Sequence, residues 1–241
     1  MKRTILFTVL IGLIIIGCSE PASKNSSKVL LSELDTFYIG NKLVNVEKVS
    51  KSDFDKLAAA VFVLESDSLE KIHLRADSSF VKRNGDTLFL KISNGRINKF
   101  INTHDSSNKS EPDESYEHFL YLGFRDDIGQ CIVNFSGYEE YGYYLIDKKT
   151  GDETLMSTEP IVSPDKKCFI NSYSTENFNG LELYKNTHKP ELVGTRELTQ
   201  WQPLEIKWFN NSSLLVKASF PDTAMQDGFQ EGYLKLSWKS E

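Results

Sequence analysis

Residues 126–158, DDIGQCIVNFSGYEEYGYYLIDKKTGDETLMST, align without a gap on residues 163–195, SPDKKCFINSYSTENFNGLELYKNTHKPELVGT, when the chain is shifted by 37 positions. Identical pairs are Cys131/Cys168, Asn134/Asn171, Glu139/Glu176, Lys148/Lys185, Thr150/Thr187, Leu155/Leu192 and Thr158/Thr195. Ile132/Phe169, Val133/Ile170, Tyr141/Phe178, Tyr144/Leu181, Ile146/Leu183 and Met156/Val193 agree in kind. Apolar positions match along the whole window. A fixed period of this size marks a repeated supersecondary unit that buries its apolar surface against a neighbouring copy.

Each unit has one plan. An apolar strand (His118 to Phe124, or Pro160 to Val162) leads into a polar turn. A β-branched strand follows, then a polar connection, then YYLIDKKTG or LELYKNTHK, then a short last strand. A looser third copy starts at Leu204, with LEIKWFNNSSLLVKASF supplying two strands and GYLKLSW (232–238) the third. The Ser163-Pro164-Asp165-Lys166-Lys167 turn and the YLIDKKTG strand resemble the β-propeller repeats of TolB-like bacterial proteins. That resemblance covers residues 116–238 and is specific in one copy; Lys166 stands where those repeats usually carry glycine. It implies blade-like meanders. Propellers close with about four to eight blades. Two clear units, one loose unit and a candidate fourth in 69–103 leave two architectures: a propeller-like array or an irregular β-sandwich. The fold class expected is mainly β, built of antiparallel meander repeats, with one short N-terminal helix.

Residues 29–103 read as a mixed and β-meander region. Thr36 to Ile39 is a strand, Gly40-Asn41 a turn, and Lys42 to Val46 a second strand. Ser52 caps a helix with Phe54, Leu57, Ala58 and Val61 on one face. From Leu69 to Arg75 the sequence alternates as a strand. Asn84-Gly85 and Asn94-Gly95 are hairpin turns around Thr87 to Ile92 and before Arg96 to Ile101. Residues 104–115 form a polar loop, and 116–241 hold the repeats.

The chain begins Met1-Lys2-Arg3, and Ile5 to Gly17 carries no charge. That run is shorter than the roughly 20 apolar residues that span a bilayer. A basic start before a short apolar core is the layout of a signal peptide, here residues 1–17. Ile15-Ile16-Gly17-Cys18 resembles the lipobox of bacterial lipoproteins. The resemblance implies cleavage before Cys18, lipidation of its thiol, and an acylated amine. Two or three acyl chains hold a protein at a membrane where one chain binds only marginally. Residues 18–28 are then a polar tether. Ser19 after the cysteine implies, by the same resemblance, delivery to the outer membrane of the cell envelope.

Removing the first 17 of 241 residues leaves 224, enough for a sizeable core. Without Lys2 and Arg3, 26 basic residues face 34 acidic ones, a balance of −8. An acidic chain without a basic run is not a nucleic-acid binder. Beyond Cys18, the cysteines are Cys131 and Cys168. A disulfide needs Cα atoms about 4.4–6.8 Å apart. Neighbouring strands of one sheet would permit the Cys131–Cys168 bond; stacked sheets, about 10 Å apart, would leave two separate thiols.

No chemistry is spelled out by spacing. The four histidines, His73, His104, His118 and His188, lack zinc-ligand spacing, and no nucleophile elbow, phosphate loop or dinucleotide fingerprint occurs. The expectation is no metal, no cofactor and no catalytic centre. YEEYGYY (138–144) places four tyrosines at a hairpin connection. Tyr141 and Tyr144 match Phe178 and Leu181 and read as core. Tyr138 and Tyr143, with Trp201 in the next repeat, are the candidate binding aromatics, since such side chains give large contact area at low entropic cost. The function expected is a membrane-anchored, non-catalytic module that binds or scaffolds an envelope protein or glycan. A polymer hydrolase and an inhibitor or immunity-type lipoprotein are the alternatives.

Overall fold

Six consecutive residues, Gln130 to Phe135, are buried in one strand. A strand alternates its side chains between two faces, so such a run requires cover on both. The computed structural model describes residues 35–58, 66–103, 116–174, 178–221 and 228–239 and shows how the cover is provided. The signal peptide, Cys18, the tether, Val61 and the 104–115 loop with His104 lie outside the described residues.

Four antiparallel sheets stack through their faces. The first is β3 (Val81–Asn84), β4 (Thr87–Lys91) and β5 (Ile97–Ile101). The second is β6 (Glu117–Arg125), β7 (Gln130–Gly137), β8 (Tyr141–Asp147) and β9 (Glu153–Met156). The third is β10 (Ile161–Val162), β11 (Cys168–Ser174), β12 (Asn179–Lys185) and β13 (Glu191–Glu197). The fourth joins both ends of the described chain in the order β1 (Thr36–Ile39), β2 (Lys42–Lys48), β16 (Phe229–Ser237), β15 (Ser213–Pro221), β14 (Gln202–Asn210). Both Asn-Gly turns and the first hairpin fall where the sequence places them.

Three cores separate the four sheets. Leu88, Leu90, Phe100, Tyr121, Val133 and Ile146 pack between the first and second. Ile132, Leu145, Met156, Phe169 and Tyr184 pack between the second and third, with the Phe169 and Tyr184 rings stacked at 5.2 Å. Ile170, Leu181 and Leu183 meet Ile39, Leu214, Val216 and Leu236 between the third and fourth. Among the described residues no core joins the first sheet to the fourth, so the stack is open.

The repeat explains the stacking. Ile132 and Phe169, 37 residues apart, lie in the same core, while Cys131 and Cys168 face outward from it into the two flanking cores. Like face therefore meets like face. Blades around a propeller axis would set each front against the next back. Of the two architectures open to the sequence, the irregular sandwich is the one formed. The short β9–β10 connection fits this arrangement, because it crosses directly between opposed sheets.

The same geometry decides the cysteines. The Cys131–Cys168 disulfide is not formed: both are free thiols, on different sheets and on opposite sides of the shared core. Burial pushes the Cys131 thiol up to about 12, and burial raises Cys168 as well.

Two helices replace the one expected. Helix α1 (Lys51–Asp55) is capped by Ser50, not Ser52. It packs Phe54 on Tyr233 of the outer face of the fourth sheet, with rings 5.3 Å apart. Helix α2 (Asp67–Ala76) occupies the segment read as an alternating strand, capped by Ser66 with Asp67 and Glu70 in its first turn. Its sequence misleads because its inward group at the first turn is a carboxylate. Glu70, almost fully buried, accepts from Arg83 Nη2 at 2.6 Å and Nε at 3.0 Å, and from the Tyr121 amide at 2.8 Å. Asp77, just past the helix, accepts from the Phe124 amide at 3.2 Å and the Tyr121 hydroxyl at 2.7 Å. Asn102 and Thr103 accept from the Phe119 and Glu117 amides. These side chains occupy the outward donors of edge strand β6, which would otherwise template pairing with another chain. Gly123 permits the close approach: with φ +107, it lies where a Cβ would sit 2.7 Å from the His73 imidazole.

Glu70→Ala should cost about 3–5 kcal/mol in urea unfolding, because the Tyr121 amide loses its acceptor and the part-buried Arg83 guanidinium loses its carboxylate while keeping the Phe119 carbonyl. Cys131 should resist alkylation at pH 8 in the native protein, the half-buried Cys168 should react faster than Cys131, and both should react once the protein is unfolded, with no mass difference between reduced and unreduced samples; a disulfide-linked peptide would contradict the stacking.

Candidate functional site

Burial of both faces of the second and third sheets leaves their strand ends as the exposed concave surface. The hairpin turns β6–β7, β8–β9, β10–β11, β12–β13 and β14–β15 gather at one pole. The β9–β10 and β13–β14 connections lie at the opposite, crossover pole.

At the crossover pole a groove of 970 Å³ lies between the second and third sheets, lined by Glu139, Glu140 and Tyr141 with Ser157, Thr158 and Ser174. The β7–β8 turn shapes it. The Gly137 amide donates to the Glu140 carbonyl at 2.8 Å, and Glu139 adopts φ +57, a left-handed conformation uncommon outside glycine. Tyr141, 53% exposed, forms a 2.7 Å hydroxyl–hydroxyl bond with Tyr143 and meets its ring edge-to-face at 5.5 Å. Tyr143 is itself packed on the core between the two sheets. The exposed ring is therefore held by a half-buried one, which lowers the ordering cost of a contact.

Under the groove the repeat pair Asn134/Asn171 is buried on the facing sides of the two sheets. Asn171 Oδ1 accepts from the Thr158 hydroxyl and, at 3.0 Å, from the Thr158 amide, while its Nδ2 donates to Glu182 at 2.8 Å. The Tyr184 hydroxyl donates to the same Glu182 oxygen at 3.0 Å. Burial first, and Glu182 second, raise the Tyr184 hydroxyl, so it stays a donor. The floor is thus polar and internally bonded, as buried polar groups require.

The structure redistributes the aromatics. Tyr138 is exposed in the β7–β8 turn. Tyr143 is a buttress, not a free contact. Tyr141, expected in the core, is the exposed platform, and its repeat partner Phe178 is likewise 55% exposed. Both sit at the crossover end of their strands, past the edge of the opposing sheet. Trp201 is not a surface residue: it is 3% exposed and packs near Phe220 in the third core. The β13–β14 connection that carries it turns inward.

At the turn pole two clefts adjoin. One, of 490 Å³, lies beside Asp147, Lys148 and His188. Asp147 is buried and accepts from the Lys149 and Thr150 amides at 2.7 and 2.6 Å, with His188 Nδ1 3.3 Å away. The other, of 780 Å³, lies between the third and fourth sheets and carries four lysines. The β6–β7 turn borders the first cleft through Ile128 and Gly129, and Arg125 braces that turn. Burial opposes the charge of Asp127, but the Arg125 guanidinium at 2.5 Å outweighs it and holds the carboxyl below its ordinary range. Among the described residues, no three His, Cys, Asp or Glu side chains converge to hold a metal.

No family model, curated protein or solved structure matches this chain. The class that can be stated is set by the architecture itself: an open stack of antiparallel meander sheets with a groove at one pole and basic clefts at the other.

Trp201→Ala should destabilise by about 3–5 kcal/mol, while Tyr141→Ala should stay within about 0.5 kcal/mol of the parent in thermal or urea unfolding. The reverse order would place the core and the groove wrongly.

Proposed function

We propose that this protein is a lipid-anchored envelope lipoprotein whose body is a non-catalytic binding module for a glycan. The lipobox-like Ile15-Ile16-Gly17-Cys18 behind a basic start and a charge-free run supports the anchor. The observation that carries the ligand class is the crossover groove. The exposed Tyr141 ring, fixed from behind, stands beside two carboxylates and the hydroxyls of Ser157 and Ser174, with the Thr158 hydroxyl bonded into the floor. An aromatic face meets the C–H surface of a sugar ring, and carboxylates accept from vicinal hydroxyls in charge-assisted bonds. Glu139 and Glu140 follow one another in a tight turn, which suits gripping hydroxyls side by side. The reading requires no cofactor, and the acidic balance of the chain disfavours nucleic acid.

Sedimentation with purified peptidoglycan, and separately with cellulose as a neutral glycan, tests the groove. Tyr141→Ala and Glu139→Gln should each weaken binding about tenfold, the loss expected for one charge-assisted or aromatic contact. Retention of a protein partner with no glycan bound would replace the glycan by a protein surface. Cys18→Ser should move the protein from the membrane fraction to the soluble fraction; a bare Cys18 thiol in the native protein would remove the anchor from the account.

A further inference from the structure

The larger cleft at the turn pole concentrates charge of the sign that the chain as a whole lacks. Four lysines line it: Lys42 at the start of β2, Lys166 and Lys167 in the β10–β11 turn, and Lys185 at the end of β12. One carboxylate, Asp165, faces them, in a chain of net charge −6. Asp165 is largely used by its own turn: it accepts from the Ser163 hydroxyl at 2.8 Å and the Lys167 amide at 3.2 Å. Those bonds hold its carboxyl below the usual range, Ser163 contributing most. Its nearest lysine contact here is Lys167 at 3.9 Å, at the limit of an ion pair. Among the described residues, Lys166 and Lys185 have no carboxylate within that distance.

The backbone makes this concentration deliberate. Lys166 has φ +59, and with Glu139 it is one of two non-glycine residues in the left-handed region among the described residues. Its amide donates to the Ser163 carbonyl at 2.9 Å and its carbonyl accepts from Asn186 Nδ2 at 2.7 Å, so the conformation is pinned. Glycine would adopt it freely; a lysine there keeps a cation on the cleft at a steric cost. Apolar walls from Leu183, Val193 and Trp238 lower the local dielectric and focus the field of the four amines. The volume, 780 Å³, is that of a small-molecule site. No arginine is among the residues lining it. Ammonium groups bind phosphate oxygens as point charges, so several lysines can serve one polyanion without the fixed fork geometry that a guanidinium imposes.

We propose that this cleft binds a small ligand carrying more than one phosphate group. A soluble sugar phosphate and a phosphorylated glycolipid headgroup share that chemistry. The site lies at the opposite pole from the glycan groove and stands or falls independently of it.

Isothermal titration of the full chain in detergent with inorganic tripolyphosphate is the test. The expected result is saturable binding that weakens as sodium chloride is raised and that falls about tenfold in Lys166→Gly and in Lys185→Gln. Lys99→Gln, on the far face of the first sheet, should leave affinity unchanged. Lys166→Gly suits the turn conformation, so an equal or higher Tm shows that lost binding is not lost folding. Displacement by glucose bisphosphate identifies a soluble source, and displacement by micellar lipid A a headgroup. Absence of binding at low salt, or equal losses in Lys99→Gln and the cleft variants, would overturn the proposal.

Discussion

Two inner sheets, β6–β9 and β10–β13, are packed on both faces, and that constraint governs what the rest of the molecule can do. Burying both faces removes the flat surface of each sheet from use. Ile132, Leu145 and Phe169 are sealed between them, with Val133 and Ile146 on one flank and Ile170 and Leu183 on the other. What remains concave and wet is the set of strand ends. The groove and both clefts lie at those ends.

Stacking also creates a problem that the N-terminal segments solve. A sheet in an open row has edges, and β6 is an edge of the most buried sheet. Helix α2 and the residues after β5 cover it with carboxylate and amide side chains instead of with another strand. Glu70 serves this edge and Arg83 at once, so one buried carboxylate ties the helix, the first sheet and the second. The fourth sheet is closed in a different way. Strand β2 pairs with β16, so the first and last described strands share one sheet. Both devices depend on segments distant in sequence.

Much of the fold was legible. The offset of 37 residues marked the second and third sheets as copies, the Asn-Gly pairs marked the hairpins of the first, and Thr36 to Ile39 was read to the residue. Helix α2 was not legible, because its apolar residues are few and its buried anchor is charged; Ser66-Asp67 was the overlooked cap signal. In the candidate groove, the exposed ring belongs to the YEEYGYY stretch, but the placement of each tyrosine within it does not follow from the sequence pattern. Tyr141 and Tyr143 are two residues apart on one strand and share a face, and the repeat match to Phe178 assigns Tyr141 to the core although both residues of that pair are exposed. Only the edge of the opposing sheet separates the exposed ring from the buttress. Trp201 failed for the complementary reason: a polar-flanked tryptophan in a connection is exposed or buried according to where that connection turns. The lysine cleft was invisible as a cluster, since its four cations come from three separate segments; the one local hint was lysine at the glycine position of the Ser163–Lys167 turn.

By itself the sequence determined the mainly β class, the repeat, the Asn-Gly turns and the lipobox-like N-terminal pattern, because each of these rests on spacing along a few residues. Tertiary structure alone decided that like faces of the repeat meet, that the stack stays open, and that Cys131 and Cys168 point apart. Those depend on how one sheet is rotated against the next, and a period-two pattern with both faces apolar is equally satisfied by either rotation.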